Sequence, residues 1–201
     1  MHRLWKKRLV EILHPKDEDI IIDVGSGSGD IASQIINKKL STKLYLLDLN
    51  KEMLEVGKKR FKNKDNINFV LGNAEKLNFN NNFFDKYSIS FCLRNVTEYV
   101  LSIKEAYRVL KPGGQYCCLE FSNPKSSLIA SSYKIYKSNI LPFLGNIVAK
   151  DSNAYSYLSE SIDLFPNQEE LSKVLMLCGF EKVNTINLFN GIVAIHSGFK
   201  I

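Results

Sequence analysis

The chain has 201 residues, of which 45% are hydrophobic and 24% charged, and its formal net charge is +6. This is the composition of one globular domain, and it excludes a collagen-like, low-complexity or wholly disordered chain. No apolar run approaches the roughly 18–20 residues of a transmembrane helix, and the four cysteines show no CxxC spacing, so we predict no metal site. The 27 basic residues are spread over the whole length, which does not indicate nucleic-acid binding.

The first predicted element is a basic, amphipathic helix at the N-terminus. Trp5, Leu9 and Leu13 recur at near-helical spacing, which predicts one apolar face. That face either packs against the protein or, because a basic helix with a Trp can lie at a lipid interface, contacts a membrane. The basic residues of this segment are Arg3, Lys6, Lys7 and Arg8.

Strands and helices then alternate as far as residue 121. Short apolar runs predict strands and amphipathic segments between them predict helices. Such alternation implies right-handed crossovers and a doubly wound α/β sheet. The predicted strands are Asp19–Val24, Lys43–Asp48, Ile67–Leu71, Phe84–Phe91 and Gln115–Phe121, and the predicted helices are Asp30–Lys39, Lys51–Phe61 and Thr97–Leu110.

The C-terminal part departs from this alternation. A predicted helix, Gln168–Cys178, is followed by two predicted strands, Phe180–Leu188 and Ile192–Phe199. Asn190-Gly191 between these strands is a strong hairpin signal. A mostly parallel seven-stranded sheet that ends in an antiparallel hairpin is typical of Rossmann-like class I methyltransferases rather than of dehydrogenases, and we predict this α/β fold.

The segment 124–166 is too long for a plain connection between a strand and a helix. It contains four Tyr and two Phe residues. We therefore predict that residues 1–201 form a single domain in which 124–166 is an inserted cap on the substrate side of the ligand crevice.

A glycine-rich turn follows the first predicted strand, in the sequence Asp23-Val24-Gly25-Ser26-Gly27-Ser28-Gly29-Asp30. Gly25 and Gly27 let the backbone approach a ligand closely. Asp23 would repel a pyrophosphate and attract a ligand that carries an ammonium and a sulfonium, such as S-adenosylmethionine. The alternative is a turn without a ligand, in which Asp30 caps the following helix.

Two further polar positions follow the second and third predicted strands. Asp48 lies where a carboxylate accepts hydrogen bonds from both ribose hydroxyls, a contact that NAD and S-adenosylmethionine share. Its alternative role is to cap the next helix, for which Asn50 is better placed. The side chain of Asn73 and the backbone of Ala74 are predicted to meet an adenine edge, unless Gly72–Glu75 is only a turn.

The fourth predicted strand ends at Arg94 and Asn95. Ligands of open α/β sheets bind outside the carboxyl ends of the strands, so both side chains are expected at the crevice. An Arg is costly there unless it meets an anion or an oxygen-rich ligand. A surface salt bridge is the alternative.

The motif Ser90–Thr97 resembles the SFGLRNVT signature of the ubiquinone/menaquinone biosynthesis C-methyltransferases, the UbiE family. The resemblance covers essentially the whole chain. Its other matching segments are His2–Lys6, Leu110–Gly114, Leu119–Pro124, Tyr157–Ile162, Phe165–Leu171 and Gly191–His196.

The resemblance implies S-adenosylmethionine as cofactor, with contacts on Ser28, Asp48, Asn73, Ala74 and Ser90. It implies a polyprenylated benzoquinol or demethylmenaquinol as substrate, and a peripheral location at a cytoplasmic inner membrane or, alternatively, at the matrix face of the mitochondrial inner membrane. A quinone-synthesis complex and a homodimer are the possible partners it suggests.

The chain departs from the family pattern in three places. Ser28 replaces a usual Thr but keeps the hydroxyl, and Cys92 replaces a usual Gly beside the site. The family also has a segment with a YDxMN-type motif before the HRLWK match, and this segment is expected to help cover the cofactor.

The expected reaction is methyl transfer to a ring carbon of a quinol. Arg94 is expected to stabilise the phenolate and Asn95 to hold a ring oxygen. The general base is left open between Asp151, His196 and a water held by Arg94. A nicotinamide-dependent dehydrogenase and a non-catalytic, cofactor-binding scaffold are the rival functions.

Overall fold

The computed structural model describes residues 2–122 and 160–201. Its seven strands form one sheet in the order β3-β2-β1-β4-β5-β7-β6. The first five strands run parallel to one another, and β7 is antiparallel to both β5 and β6. The predicted fold, a mostly parallel seven-stranded sheet that ends in an antiparallel hairpin, is confirmed. The strands are β1 Ile20–Val24, β2 Lys43–Asp48, β3 Ile67–Leu71, β4 Phe84–Ser90, β5 Leu110–Phe121, β6 Glu181–Leu188 and β7 Val193–Phe199.

Five helices and two short 3-10 turns connect the strands that the structure describes. Their bounds follow the apolar periodicity of the sequence closely, because each buries one face against the sheet. The helices are α1 His2–Leu13, α2 Asp30–Ile36, α3 Lys51–Arg60, α4 Tyr99–Val109 and α5 Gln168–Leu177, and the 3-10 turns are Leu93–Asn95 and Phe189–Gly191. None of the helices described here is long and apolar enough to cross a membrane.

Two apolar clusters cover the two faces of the sheet. One includes Leu9 of α1 and Ile31 of α2, and the other includes Ile103 of α4 and Leu175 of α5. The central strands contribute buried residues to both clusters, as expected for parallel strands covered on both faces. This packing fixes the carboxyl ends of β1, β2, β3 and β4 along one edge.

Helix α1 belongs to the protein core. Leu9 and Leu13 are fully buried, and the Trp5 ring is 8% exposed and lies against Phe91 and Phe189, with ring centroids 6.1 and 6.3 Å apart. The interpretation of Trp5 as a lipid-contacting residue is therefore wrong, because its ring is covered by the chain itself. The apolar face of α1 packs on α2 and β5.

The predicted ends of three elements are also corrected. Helix α2 stops at Ile36 rather than at residue 39, and Lys39 takes a φ of 57° that a right-handed helix does not allow. The predicted two-residue turn at Asn190-Gly191 is instead a 3-10 turn that begins at Phe189 and places three successive residues at positive φ. Strand β5 begins five residues early, because Gly113 and Gly114 exchange backbone hydrogen bonds with Lys200.

The placement of α1 predicts a large difference between two leucines on this helix. Leu9→Ala removes a fully buried side chain and should lower the free energy of unfolding by about 2–5 kcal/mol. Leu4 is 67% exposed, so Leu4→Ala should change it by less than about 0.5 kcal/mol. Urea denaturation of both variants measures this difference, and small, equal effects would contradict the placement.

Candidate active site

The carboxyl ends of four parallel strands surround a cavity of about 230 Å³. We call this the first cavity. It brings together five of the predicted site residues: Gly25, Asp48, Asn73, Ala74 and Asn95. Its other lining residues are Val24, Leu47, Leu49, Gly72, Glu75, Cys92, Val96 and Thr97.

The glycine-rich turn forms one wall of the first cavity. Gly25 has a φ of 63°, and a Cβ there would overlap the side chain of Cys92. The position therefore requires glycine both for its conformation and for its close contact. Cys92, the residue that departs from the family pattern, lies beside the cavity as predicted, and burial raises the pKa of its thiol to about 12.

Asp48 supports this turn from the neighbouring strand. Its Oδ2 accepts a hydrogen bond of 2.7 Å from the backbone N–H of Gly27, and its Oδ1 accepts one of 2.8 Å from that of Asn50. Asn50 caps α3 by accepting from the N–H of Met53, so Asp48 does not act as the helix cap. A carboxylate held in this way at the cavity wall retains lone pairs for hydroxyl groups of a ligand.

The Asn73 side chain is held by Glu75. The Oδ1 of Asn73 accepts from the backbone N–H of Glu75, and its Nδ2 donates to the Glu75 carboxylate at 3.2 Å. The same carboxylate accepts from the N–H of Glu98 at 2.8 Å and so joins the segment after β3 to the segment after β4. The sequence analysis assigned no role to Glu75, although this residue lies two positions after Asn73 in the same motif.

The remaining predicted cofactor contacts lie outside the lining of the first cavity. Gly27 and Ser28 lie farther along the glycine-rich turn, and Ser90 ends β4. Asp23 is buried beneath the turn, where its Oδ1 accepts a 2.7 Å hydrogen bond from Ser88 and its Oδ2 has no partner among the described residues. Burial raises the pKa of Asp23 to about 7, against the opposing effect of the Ser88 hydrogen bond. The roles of these four residues stay predictions.

Asp30 ties the turn to two helices. Its carboxylate pairs with Lys6 of α1 at 2.8 Å and with Arg60 of α3 at 2.9 Å. Burial opposes the ionisation of Asp30, but these cations hold its pKa at about 2. The charge-rich HRLWK segment thus contributes directly to the support of the glycine-rich turn.

A second cavity, of about 340 Å³, adjoins the first. The 3-10 turn Leu93–Asn95 separates the two, since Arg94 lines the second cavity and Asn95 lines the first. Val96 and Thr97 border both cavities. The other residues of the second cavity are Tyr99, Glu160, Ser161, Leu164, Phe165 and Pro166.

Arg94 forms a buried ion pair. Its Nη1 lies 2.6 Å from Oε1 of Glu120, and the side chains are 9% and 2% exposed. The guanidinium also lies 5.2 Å from the centre of the Phe121 ring, whereas Nε is buried without a hydrogen-bond partner among the described residues. The alternative of a surface salt bridge is wrong, because this pair is inside the protein. Burial raises the pKa of Glu120, and the Arg94 charge opposes that effect.

Sequence analysis left the general base open between Asp151, His196 and a water. Asp151 and most of the predicted cap lie outside the described residues. His196 is buried on β7, and its Nε2 donates to the carbonyl oxygen of Gln168 at 3.0 Å, because a carbonyl can only accept. Burial lowers the pKa of His196 to about 4, and the residue lines neither cavity.

The first cavity fits S-adenosylmethionine by its own chemistry. Asp48 offers a carboxylate to hydroxyl groups, and Gly25 lets a ligand approach the backbone. Asp48 lines this cavity and accepts hydrogen bonds from two backbone N–H groups, so its carboxylate favours a cationic ligand. A sheet of this order with such a site defines a class I S-adenosylmethionine-dependent methyltransferase.

Comparison with known proteins identifies the family. The model of the ubiE/COQ5 methyltransferase family matches residues 1–200, so the chain belongs to this family. This confirms the resemblance found in the sequence and makes the chain an S-adenosylmethionine-dependent C-methyltransferase rather than a nicotinamide-dependent dehydrogenase.

Individual relatives agree with this assignment. The chain is 43% identical to the ubiquinone/menaquinone biosynthesis C-methyltransferase UbiE of Zymomonas mobilis, over all of this chain and 83% of the relative. It is 40% identical to the mitochondrial 2-methoxy-6-polyprenyl-1,4-benzoquinol methylase of Gallus gallus, over all of this chain and 77% of that protein. Among solved structures, Haemonchus contortus phosphoethanolamine N-methyltransferase 2 in complex with S-adenosyl-L-methionine has the same fold, with a TM-score of 0.73 and 17% identity over 97% of this chain and 52% of that chain.

The position of Asp48 predicts its contribution to cofactor binding. Asp48→Ala should weaken S-adenosylmethionine binding by about 1.5–3 kcal/mol, because it removes a charged acceptor and the support of the Gly27 N–H. Calorimetry measures the effect, with the exposed Asp65 as the matched control in Asp65→Ala. Equal affinities for Asp48→Ala and the unchanged protein would contradict this role, and binding of NAD without S-adenosylmethionine would contradict the cofactor assignment.

Proposed function

We propose that this chain methylates a ring carbon of a polyprenylated quinol, either a benzoquinol of the ubiquinone pathway or demethylmenaquinol. The functions of these relatives support this substrate class. The observation that carries the proposal is the placement of Arg94 and Asn95 on one short turn, each lining a different one of two adjoining cavities. Such an arrangement suits a methyl donor in the first cavity and an acceptor in the second.

The second cavity offers what a quinol ring requires. Tyr99 and Phe165 line it, and their rings lie 5.9 Å apart in an edge-to-face arrangement. Arg94 adds a cation to this mostly apolar wall. An aromatic ring with oxygen substituents combines the apolar and the polar contacts that these residues provide.

Arg94 makes the ring nucleophilic by stabilising an oxygen anion. Bound S-adenosylmethionine supplies a methyl group on a sulfonium, which is a good leaving group. Loss of the hydroxyl proton turns the quinol into a better carbon nucleophile, and a nearby guanidinium lowers the pKa of that hydroxyl. Glu120 uses Nη1 of Arg94 but leaves its Nε–H without a partner in the described part of the chain. A buried donor of this kind gains most from an oxygen.

The two cavities adjoin each other closely. Val96 and Thr97 border both cavities, so a ligand in one would lie beside a ligand in the other. Holding two reactants in line in this way contributes up to about 7–11 kcal/mol to catalysis when fully realised. The proton of the methylated ring carbon passes to water, and the ring regains its aromatic quinol form when its oxygen takes a proton back.

Arg94 should therefore control turnover far more than cofactor affinity. With labelled S-adenosylmethionine and a short-tailed quinol of each class, the unchanged protein should transfer methyl groups. Arg94→Ala should lower kcat about a hundred- to a thousandfold, and Arg94→Lys should recover only part of it, because an ammonium lacks the planar fork. The loss should shrink as pH rises toward the pKa of the quinol, since solution then supplies the phenolate.

Three results would count against this role of Arg94. Near-normal turnover of Arg94→Ala would show that the charge is not used. A loss of cofactor affinity in proportion to the loss of rate would make Arg94 a structural residue. Cofactor binding by the unchanged protein without turnover of either quinol would favour the scaffold function instead.

We further propose that the protein collects its substrate at an anionic membrane surface. A polyprenyl tail resides in the bilayer, so the entrance of the second cavity must reach it. Leu164 lines this cavity and is 87% exposed, which suits contact with acyl chains. Arg3, Lys7 and Arg8 of α1 are exposed and add positive charge to the surface.

Vesicle binding tests the electrostatic part of this proposal. Vesicles with anionic lipid should sediment more of the protein than neutral vesicles, and Lys7→Glu/Arg8→Glu should reduce this excess, at about 1 kcal/mol for each basic residue removed near the surface. Lys182→Glu, an exposed position at the start of β6 and at the end of the sheet opposite to the cavities, is the matched control. Equal partitioning to both kinds of vesicle would overturn the proposal.

A further inference from the structure

Glu120 contacts the 3-10 turn between the two cavities at two points. Its Oε1 accepts a 2.6 Å hydrogen bond from Nη1 of Arg94, and its Oε2 accepts a longer one, of 3.3 Å, from the backbone N–H of the same residue. One carboxylate thus holds both the side chain and the main chain of Arg94. Restraint of both parts leaves the guanidinium little freedom relative to the turn.

The carboxylate is itself fixed by the sheet. Glu120 is 1% exposed near the end of β5, a strand that lies between β4 and β7, and its Oε1 also accepts from the N–H of Phe121 at 2.9 Å. The Phe121 ring lies under the Arg94 guanidinium. The carboxylate and the ring that contact Arg94 thus both belong to β5, whereas Arg94 itself lies on the turn.

The turn that Glu120 holds carries residues of both cavities. Phe91 lies between the end of β4 and this turn. It adopts a φ of 53°, which is strained for an aromatic residue, and the chain leaves the strand there. A strained turn stays in place only when surrounding contacts determine it. The ion pair with Glu120 supplies such a contact, since it joins the turn to the next strand.

We propose that Glu120 is a positioning residue for methyl transfer, which fixes Arg94 in the second cavity and, through the same turn, Asn95 in the first. This inference rests on the proposed function of Arg94. Glu120 lines neither cavity, so it acts through Arg94 rather than on the substrate. Its full charge matters, because a charge-assisted bond to a guanidinium is about twice as strong as a neutral one.

The test is a double-mutant cycle in the full-length protein. Glu120→Gln keeps the shape of the side chain but removes its charge, and it should lower kcat about ten- to a hundredfold while the Kd for S-adenosylmethionine changes less than about threefold. In an Arg94→Ala background the same substitution should lower kcat by a clearly smaller factor, because the guanidinium is gone and only the contact of Glu120 with the backbone N–H of residue 94 remains. The readouts are turnover of the quinol with labelled cofactor, calorimetric Kd and thermal unfolding.

Asp85→Asn is the matched control. Asp85 also pairs with a cation, Lys111, at 2.8 Å and accepts a backbone N–H, that of Ile20, but it lies near the opposite end of β4 from the cavities. Asp85→Asn should leave kcat within twofold of the unchanged protein even where it lowers the melting temperature. A loss of kcat like that of Glu120→Gln would show that lost ion pairs act only through general stability, and would overturn the inference.

Two further outcomes separate the possible failures. If Glu120→Gln does not fold, Glu120→Asp keeps the charge but shortens the side chain by one methylene, and a kcat equal to that of the unchanged protein would overturn the inference. An equal loss in both backgrounds of the cycle would do the same. If the unchanged protein binds S-adenosylmethionine but turns over neither quinol, the proposed function fails before any variant is compared.

Discussion

The buried ion pair between Arg94 and Glu120 joins the turn that separates the two cavities to the neighbouring strand β5. Removing two charges from water costs several kcal/mol for each ion, and the mutual attraction repays this only with good geometry and additional hydrogen bonds. The Glu120 carboxylate meets that condition, since it accepts from a guanidinium and from two backbone N–H groups. Such a pair adds little net stability to a fold, but it specifies one position for the turn that bears Arg94.

The carboxylates at this edge of the sheet have three different surroundings. Asp23 is buried with a single hydroxyl donor, and its pKa is raised to about 7. Asp48 accepts from two backbone N–H groups at the cavity wall, whereas Asp30 is paired with two cations and its pKa is lowered to about 2. Of these three carboxylates, Asp48 lines the first cavity and makes no ion pair with a described residue, so its charge favours a cationic ligand there. The same charge would disfavour the pyrophosphate of a dinucleotide.

The sequence predicted those parts of the fold that depend on local pattern. The strands Lys43–Asp48 and Ile67–Leu71 begin and end where the apolar runs do, and the glycine-rich turn lies where the spacing of its glycines placed it. Parallel topology then brings Asp48, Asn73 and Asn95 to one cavity, because parallel strands share a carboxyl edge.

The parts that the sequence did not predict depend on contacts between distant segments. Glu120 and Arg94 lie 26 residues apart, and no periodicity links them. A glutamate inside an apolar strand was the available signal, since an acid is seldom buried without a partner. The amphipathic pattern of α1 placed Trp5 on the apolar face of this helix. The pattern did not show whether protein or lipid covers that face. Phe189 begins the last turn at positive φ, a conformation that a bulky residue seldom adopts. Tertiary packing, which the local sequence does not show, determines this conformation.

A structure of the protein with S-adenosylhomocysteine and a short-tailed quinol analogue tests the central claim most directly. The account predicts the nucleoside in the first cavity with its ribose on Asp48, and the quinol ring in the second cavity with an oxygen within about 3 Å of an Arg94 nitrogen. The Arg94–Glu120 ion pair should remain unbroken in that complex. A quinol ring bound away from Arg94, or an Arg94 that leaves Glu120 when the ligands bind, would contradict the account.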